Sequence, residues 1–377
     1  MYADIVLIRT LTNVHVGVGS SGGIVDLPVQ RDELGFPCIY SSSIKGALKT
    51  SLLQAFIGKH KNYAVARNAV SALLGPDPEE GESFESSVAV LDAYLLAAPV
   101  RSLRGVYAYV TSPILLRKFL ERADLCSKLG RRVNEQDGNN FTSVRLLKAV
   151  EKLAKRAENI SRDEAICVGD CKRVVMDQPE ALRGKVLLSE EFLLNIDSKA
   201  ESMGQEVNLL YLLEVFRLDR PLLVLNDDTA REVINRSLVR LARIRLRREK
   251  KTVEAGPWTE EYVPVNTVFH TVFFYKRPPL TASFIGKILG KESNEVDDEA
   301  YLEALERLGI LRKGDLEELG KMLGTPEGVA TLVEKVKESF WDVIDSALKN
   351  FIIMGGKETI GKGIVELRRL IPEKEEG

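Results

Sequence analysis

Two side chains capable of acid–base chemistry flank a glycine-rich turn near the start of the sequence. His15 precedes the segment GVGSSGG, residues 17–23, and Asp26 follows it between apolar neighbours. Glycines let a backbone approach phosphate closely, and a carboxylate beside them can bind a metal or move a proton at a phosphodiester. The alternatives are a capping or turn aspartate and a histidine that only packs. The pattern indicates a candidate phosphodiester site and leaves those alternatives open.

A second glycine-rich stretch, MGGKETIGKG, lies near the end of the sequence. Residues 356–362 have the GxxxxGK spacing of a P-loop, which requires Ser or Thr next to bind magnesium. Gly363 stands there instead, so we do not expect a nucleotide site. Backbone N–H groups and two lysines still suit phosphate, so the loop either contacts RNA phosphate or is purely structural. The RNA-binding candidates in this loop are Gly355, Gly356, Lys357, Gly361 and Lys362.

Positive charge is concentrated in two other segments. Residues 41–46, SSSIKG, open a predicted helix, and a helix N-terminus with hydroxyls and a lysine suits an anion, with plain capping as the alternative. A later run places arginines at helical spacing, and its single sign favours phosphate or an acidic partner over a solvated face. That run comprises Arg236, Arg240, Arg243 and Arg247, with Arg245, Arg248, Lys250 and Lys251 close by. From both segments, the RNA-binding candidates are Ser43, Lys45, Lys49 and Arg243.

The composition limits the possible partners. The chain has 377 residues, and its 53 Lys and Arg against 55 Asp and Glu give a net charge of -2, so any RNA site must be a local patch. No apolar run approaches the roughly 20 residues of a membrane span, and we expect no membrane partner. With four cysteines and no signal peptide we expect reducing cytoplasm and no disulfide framework. Cys167 and Cys171 lack a second pair nearby, which disfavours zinc.

The elements that must position these residues mix strands and helices without regular alternation, which predicts an α+β fold. We predict strands over residues 3–14, 88–98, 105–110 and 262–275, and a hairpin between 173–175 and 185–188. Predicted helices cover residues 226–241 and 331–351, and another runs from Ser43, as its N-cap, to about residue 57. Residues 115–180 and 280–330 are predicted insertions in one domain covering residues 1–377.

Four blocks, in order, resemble the backbone ribonuclease subunits of type III-B CRISPR (Cmr) complexes. Residues 15–49 resemble the opening signature of that family, and residues 95–113 and 256–270 resemble its second and third blocks. Residues 355–367, GGKETIGKGIVEL, are similar to the glycine-rich loop of the wider RAMP (repeat-associated mysterious protein) superfamily. The first block is the most specific, whereas the glycine loop alone identifies only the superfamily.

The resemblance implies a modified ferredoxin-like, RNA-recognition-motif palm, with helical insertions as fingers and a thumb hairpin. Residues 183–210 are the best candidate for the thumb. Copies of such subunits stack as a helical filament on a guide CRISPR RNA, beside other subunits of the effector complex. A thumb from each copy interrupts the guide–target duplex, and single-stranded target RNA is cut there at regular intervals in a metal-dependent reaction.

The resemblance also assigns roles to residues. It implies that Asp26 is the main catalytic residue and binds a divalent ion, Mg²⁺ or Mn²⁺. His15, Glu260 and Tyr262 match further positions near the cut, with Glu261 competing with Glu260 for its position. Lys45 matches a lysine that contacts guide RNA. Tyr109 stands where tryptophan is common in the family.

Three alternatives remain from the sequence. Filament subunits of type III-A (Csm) complexes share much of this pattern, although VDLPVQR and EEYVP suit the Cmr form better. A structural RNA-binding subunit that no longer cuts is a second alternative, against which the retained Asp26 argues. A phosphate-using small-molecule enzyme is the third, and the glycine after Lys362 counts against it.

Overall fold

The computed structural model describes residues 1–20, 23, 25–77, 83–129, 144–196, 207–247, 252–290 and 297–370. Several predictions lie partly or wholly outside these ranges: part of the predicted insertion over residues 115–180, part of the thumb candidate, and Arg248, Lys250 and Lys251 of the basic run. The fold mixes helices and strands, as predicted from the sequence.

Twelve strands of the described chain form one sheet, and two more form a separate hairpin. The sheet order is β13-β14-β1-β12-β4-β5-β9-β6-β8-β7, with β2 beside β4, β3 beside β12, and an extra β4–β7 pairing that joins β7 back to β4. The strands are β1 Tyr2–Thr10, β2 Cys38–Ile39, β3 Val88–Val90, β4 Ala93–Ser102, β5 Val106–Thr111, β6 Glu164–Val168, β7 Lys185–Leu188, β8 Phe192–Ile196, β9 Leu222–Leu225, β10 Val239–Leu246, β11 Val253–Tyr262, β12 Val268–Tyr275, β13 Phe351–Ile353 and β14 Ile364–Arg369.

Helices cover both faces of the sheet. Strand β1 alternates between two hydrophobic clusters: Val6 and Ile8 pack in one, whereas Ile5 and Leu7 pack in the other. Helices α3, α4 and α5 contribute to the second cluster, and the remaining helices to the first. The helices are α1 Ser41–His60, α2 Tyr63–Leu74, α3 Pro113–Leu129, α4 Val144–Arg156, α5 Val207–Val215, α6 Asp227–Ser237, α7 Ala282–Leu289, α8 Asp298–Arg307, α9 Lys313–Gly320 and α10 Pro326–Asp342.

Helices and a strand from the two predicted insertions pack against the sheet or belong to it. Helix α3 packs against β1, β4 and β12, and β6 is an inner strand of the sheet. The described residues of 115–180 therefore contribute to the sheet and to its packing, and their status as an insertion stays a prediction. Helices α7, α8 and α9 occupy residues 282–320 and contribute to the core cluster on the opposite face.

Several predicted element boundaries were wrong for identifiable reasons. The helix predicted over residues 226–241 ends at Ser237, and the arginines beyond it lie on β10, because antiparallel pairing with β11 overrides helical spacing. The strand predicted over 262–275 is broken near Asn266, which has a φ of 69°. The helix predicted over 331–351 begins earlier, at Pro326, and after Asp342 continues only as a short π-helical turn to Ala347.

Two local predictions were also wrong. Helix α1 begins at Ser41, so Ser43 lies in its first turn and is not its N-cap; the Ser41 N–H donates to Asp92 Oδ1 at 2.6 Å. Strand β7 pairs with β8 and not with residues 173–175, because a short 3-10 turn occupies 171–173. That turn brings Cys171 to Cys167, and a single local disulfide joins them, where the sequence predicted no disulfide framework.

Among the described residues, no helix is long and apolar enough to span a bilayer. The hairpin of β10 and β11, called the basic hairpin below, is exposed along most of its length. Its base at Glu260 and Tyr262 is buried, so the hairpin projects from a fixed root.

Candidate active site

Asp26 is held at the base of the basic hairpin. The Thr259 N–H donates to Asp26 Oδ2 at 2.7 Å, while the aspartate itself remains exposed. The next residue, Leu27, donates its N–H to Thr259 O at 3.0 Å and accepts one from Glu261 at 3.0 Å. This short bridge fixes the backbone beside Asp26 and leaves its carboxylate accessible to a ligand.

His15 also contacts the last residues of strand β11. Its Nδ1 is 2.7 Å from the backbone oxygen of Glu261, and its ring packs at 5.5 Å on the ring of Tyr262. A carbonyl oxygen only accepts hydrogen bonds, so Nδ1 carries the hydrogen, and in the neutral ring Nε2 has a free lone pair. A Cβ at Gly17 would lie 2.7 Å from Nε2, so the glycine turn leaves room beside this nitrogen.

Glu260 is buried at the centre of a charged network. Its Oε1 is 2.8 Å from Lys357 Nζ and accepts from Trp258 Nε1 at 2.9 Å, and its Oε2 accepts from the Tyr262 hydroxyl. Arg243 Nε lies 3.3 Å from Oε2. Burial disfavours the charged form, but the bonds from Lys357, Tyr262 and Trp258 outweigh it and lower the pKa of Glu260 to about 2.

This network makes Glu260 unsuited to proton transfer near neutral pH, because it is always ionised. Burial, together with the bond to Glu260, raises the pKa of Tyr262, so its hydroxyl keeps its hydrogen and donates it to Glu260. Glu260 therefore orders the side chains around it, and we assign it a positioning role in place of direct acid–base work.

The lowered pKa gives a prediction for acid stability. The pKa of Glu260 is about 2 in the fold against 4.5 for the free side chain, so its contribution is complete above pH 4.5 and is lost as pH falls towards 2. That contribution is at most about 3 kcal/mol. Glu260→Gln should lower the free energy of unfolding at pH 7 and flatten its fall between pH 4.5 and 2, measured by urea denaturation. An unchanged slope in this window would contradict the ion network.

The C-terminal glycine loop completes the site. The Gly356 N–H donates to His15 O at 3.0 Å, and a Cβ at Gly355, whose φ is 82°, would lie 2.3 Å from that oxygen. The loop thereby places Lys357 against Glu260 and Lys362 Nζ at 5.7 Å from the centre of the Tyr262 ring. Gly361 also has a positive φ, 73°, which favours glycine. Segments at both ends of the chain thus meet on the last residues of β11.

The remaining RNA-binding candidates lie on two elements. Ser43 accepts a hydrogen bond from Gln30 Nε2 at 3.0 Å, which ties α1 to the segment after Asp26. Lys45 contacts Ser86, with its pKa lowered by burial and by repulsion from Lys49, and Lys49 pairs with Asp77 at 2.6 Å. Arg243 is on the basic hairpin, beside Glu260. The structure therefore joins Ser43 and Arg243 to the Asp26 site, whereas the two lysines contact Pro76, Asp77 and Ser86.

Sequence reasoning missed three residues of the site. Thr259 holds Asp26 through a backbone amide, Trp258 binds Glu260 through its indole, and Arg31 pairs with Glu261 at 2.9 Å. The signal that could have revealed such residues was the doublet Glu260-Glu261 on a predicted strand. Side chains alternate along a strand, so two adjacent carboxylates face opposite sides and each needs its own partners.

The described residues do not build a resident site for a divalent ion. Among them, no group of three or more His, Cys, Asp and Glu side chains is arranged to hold a metal. Glu260 and Glu261 are each paired with two basic side chains, which leaves Asp26 as the exposed carboxylate of the site. The predicted Mg²⁺ or Mn²⁺ therefore finds no protein-built cage there.

Comparison with known proteins places this geometry in a family. Residues 7–366 match the model of the RAMP superfamily. The chain is 32% identical to the CRISPR system CMR subunit Cmr4 of Saccharolobus solfataricus, over 96% of this chain and 95% of that protein. It is 29% identical to the CRISPR system Cmr endoribonuclease Cmr4 of Pyrococcus furiosus, over 77% of this chain and 90% of that protein.

Solved structures agree with these relatives. A chain in the cryo-EM structure of the type III-B Cmr-beta complex in the apo state matches with a TM-score of 0.62 and 30% identity, covering 98% of this chain and 97% of that one. The same kind of complex bound to cognate target RNA gives a TM-score of 0.61 and 30% identity, covering 98% of both chains. With matched sequence and fold along nearly its whole length, the chain belongs to the RAMP superfamily and, within it, to the Cmr4 subunits of type III-B CRISPR systems.

Proposed function

We propose that this chain is a backbone endoribonuclease subunit of a type III-B Cmr complex, which cleaves target RNA complementary to a guide CRISPR RNA. The observation that carries the proposal is the meeting of Asp26, His15, Glu260 and Tyr262 at the root of the basic hairpin. A Cmr relative is named as an endoribonuclease, and a similar chain belongs to a complex bound to cognate target RNA, which supports this reading.

The geometry suits cleavage by the RNA's own 2′-hydroxyl. That reaction needs the attacking oxygen, the phosphorus and the leaving oxygen held in line. An exposed Asp26, held by the Thr259 amide, can accept the 2′-OH proton or orient that hydroxyl. His15, with Nδ1 bound to Glu261 O, presents Nε2 for proton transfer at the reacting oxygens. Lys357 and Arg243 supply positive charge near the phosphate, while Glu260 keeps both in place.

The basic hairpin and the sheet suggest how the fold divides into palm, fingers and thumb. We propose that strands β14, β1, β12 and β4 form the palm, and that the helices of residues 113–156 and 282–320 form the fingers. The basic hairpin is a better thumb than the candidate at residues 183–210, because β7 and β8 are paired into the main sheet. Arg240, Arg243 and Arg245 lie on the hairpin. Its base, at Glu260, belongs to the proposed active site.

The proposed partners follow from this arrangement. Guide RNA would follow α1 and the glycine loop through the candidates Ser43, Lys45, Lys49, Gly355, Gly356, Lys357, Gly361 and Lys362. With a net charge of -2, one copy binds RNA only through such local patches, so several copies sharing one guide in a helical filament give the complex its affinity. Other Cmr subunits would complete the particle, in the cytoplasm where we expect it.

The test is cleavage by a reconstituted complex containing this chain. Labelled target RNA complementary to the guide should be cut into products at regular intervals, while non-complementary RNA stays intact. Binding of the target without cleavage, in every divalent ion tried, would instead make the chain a silent structural subunit.

The divalent ion is tested in the same assay. Since the part of the chain that the structure describes offers no cage, an ion would share Asp26 with water and phosphate oxygens, and we expect it to bind weakly. EDTA should stop cleavage, and Mg²⁺ or Mn²⁺ should restore it with a midpoint on the order of 10⁻⁴–10⁻³ M. Full cleavage in EDTA would remove the metal from the reaction, and target binding measured with EDTA serves as the control.

A further inference from the structure

We propose that Glu261 is a positioning residue, which transmits the placement of the basic hairpin to Asp26. This inference rests on the proposed function and adds to it a residue whose side chain faces away from the Glu260 network. The question it answers is what holds the Asp26 segment, residues 26–31, in register with the hairpin when RNA binds.

The Glu261 carboxylate is buried, with only 1% of its side chain exposed, yet it forms ion pairs with two arginines. Its Oε2 lies 2.9 Å from Arg31 and also accepts the N–H of Val29 at 3.2 Å. Its Oε1 lies 3.2 Å from Arg240 on β10. One carboxylate therefore joins the Asp26 segment to both strands of the hairpin.

Helix α6 binds the same two arginines, so that Glu261, Arg31, Asn235 and Arg240 form a ring of hydrogen bonds. Arg31 Nε donates to Asn235 Oδ1 at 3.0 Å, and Arg240 Nη2 donates to Asn235 O at 3.3 Å. A side chain and a backbone group of one helical residue thus hold the same two arginines that Glu261 holds. The ring is hydrogen-bonded throughout, which is the condition under which a buried ion pair keeps a fixed geometry.

The backbone of Glu261 contacts both segments that carry the proposed catalytic residues. The N–H of Glu261 donates to Leu27 O, its carbonyl accepts from His15 Nδ1, and the nearby Thr259 N–H holds Asp26. Without the negative charge, the Arg31 and Arg240 side chains, which are 29% and 47% exposed, lose the anion between them and no longer hold the Asp26 segment to the hairpin. Asp26 would then leave its place relative to His15, while the exposed RNA-binding arginines stayed on the hairpin.

Glu261→Gln in the reconstituted complex tests this directly. Single-turnover cleavage at saturating target should fall by about 10²-fold, the scale of a displacement near 1 Å, while target affinity stays within about twofold. Arg31→Gln breaks the same pair from its more exposed partner and should act in the same direction, which covers the case in which Glu261→Gln does not fold. Wild-type rates in both variants would overturn the proposal.

A double variant separates positioning from general destabilisation. If Glu261 acts through Asp26, then Glu261→Gln added to Asp26→Asn lowers cleavage no further, whereas an independent structural effect multiplies with it. Asp4→Asn is the matched control, since Asp4 is also buried beside two basic side chains, Lys337 and Arg369, near the opposite end of β1. Equal losses from Asp4→Asn and Glu261→Gln would overturn the proposal.

Amide exchange gives a readout that does not depend on cleavage. Glu261→Gln should raise the exchange rate of the Val29 and Leu27 amides and leave those of β1 unchanged. Unchanged protection at Val29 would overturn the positioning role, even where the wild-type complex cuts RNA normally. If the wild type does not cut target at all, the proposed function fails, and the exchange result still decides whether Glu261 holds this segment.

Discussion

Asp26→Asn should lower target cleavage by on the order of 10²-fold or more while leaving assembly and RNA binding intact. The side-chain amide of asparagine has the shape of the carboxylate, and its oxygen can still accept the Thr259 N–H that now lies 2.7 Å from Asp26. What it loses is the negative charge needed to take a proton or bind a cation. Since Asp26 is exposed, the change should cost little stability.

The measurement is the single-turnover rate in complexes that differ only at this position. Asp92→Asn is the matched control, because Asp92 also accepts a backbone N–H, from Ser41 at 2.6 Å, but lies between β3 and β4, away from Asp26 in the chain. The control should cut at the wild-type rate. Equal cleavage by Asp26→Asn and wild type would remove Asp26 from the mechanism and leave His15 as the first candidate to test.

His15→Asn should produce a loss of similar size, about 10²-fold, for a different reason. An asparagine amide can still donate to Glu261 O, as Nδ1–H does now, so the backbone contact survives. The variant removes Nε2, the nitrogen beside which the glycine turn leaves space. Target affinity should change little, because a neutral side chain replaces an imidazole buried to 8% exposure.

A control at a second histidine distinguishes this role from a general effect of losing an imidazole. If Nε2 of His15 transfers a proton, His15→Asn should cut slowly, whereas His60→Asn, a change to a histidine at the end of α1, should cut at the wild-type rate. A His15→Asn variant with the wild-type rate would reduce His15 to a packing residue against Tyr262.

The mixed fold and the main candidates were predictable because local sequence determines them. The glycines between His15 and Asp26 signal a backbone that approaches something closely, and the structure brings both residues to the end of β11. That the GGKETIGKG loop does not bind a nucleotide stays a prediction. Its Gly355 has the positive φ and the close contact with His15 that only glycine allows.

The failures share a physical cause, which is contact between distant segments. The arginine run has helical spacing, but pairing with β11 makes it a strand, and only the folded sheet reveals that. Likewise, local sequence does not reveal that Lys357, 97 residues after Glu260, pairs with it and keeps it ionised, and the catalytic role of Glu260 stays a prediction. No local pattern shows that Arg31 and Glu261, 230 positions apart, form one ion pair.

The place of β1 in the sheet has a consequence for synthesis of the chain. Residues 2–10 pair on one side with β12 and on the other with β14, and His15 contacts Gly356. A ribosome releases the first segment long before the last, so β1 waits with an unsatisfied edge until residues 351–369 emerge. The arrangement around Asp26 therefore forms only after residues 351–369 have been synthesised, so a nascent chain that stops short of them lacks the assembled site.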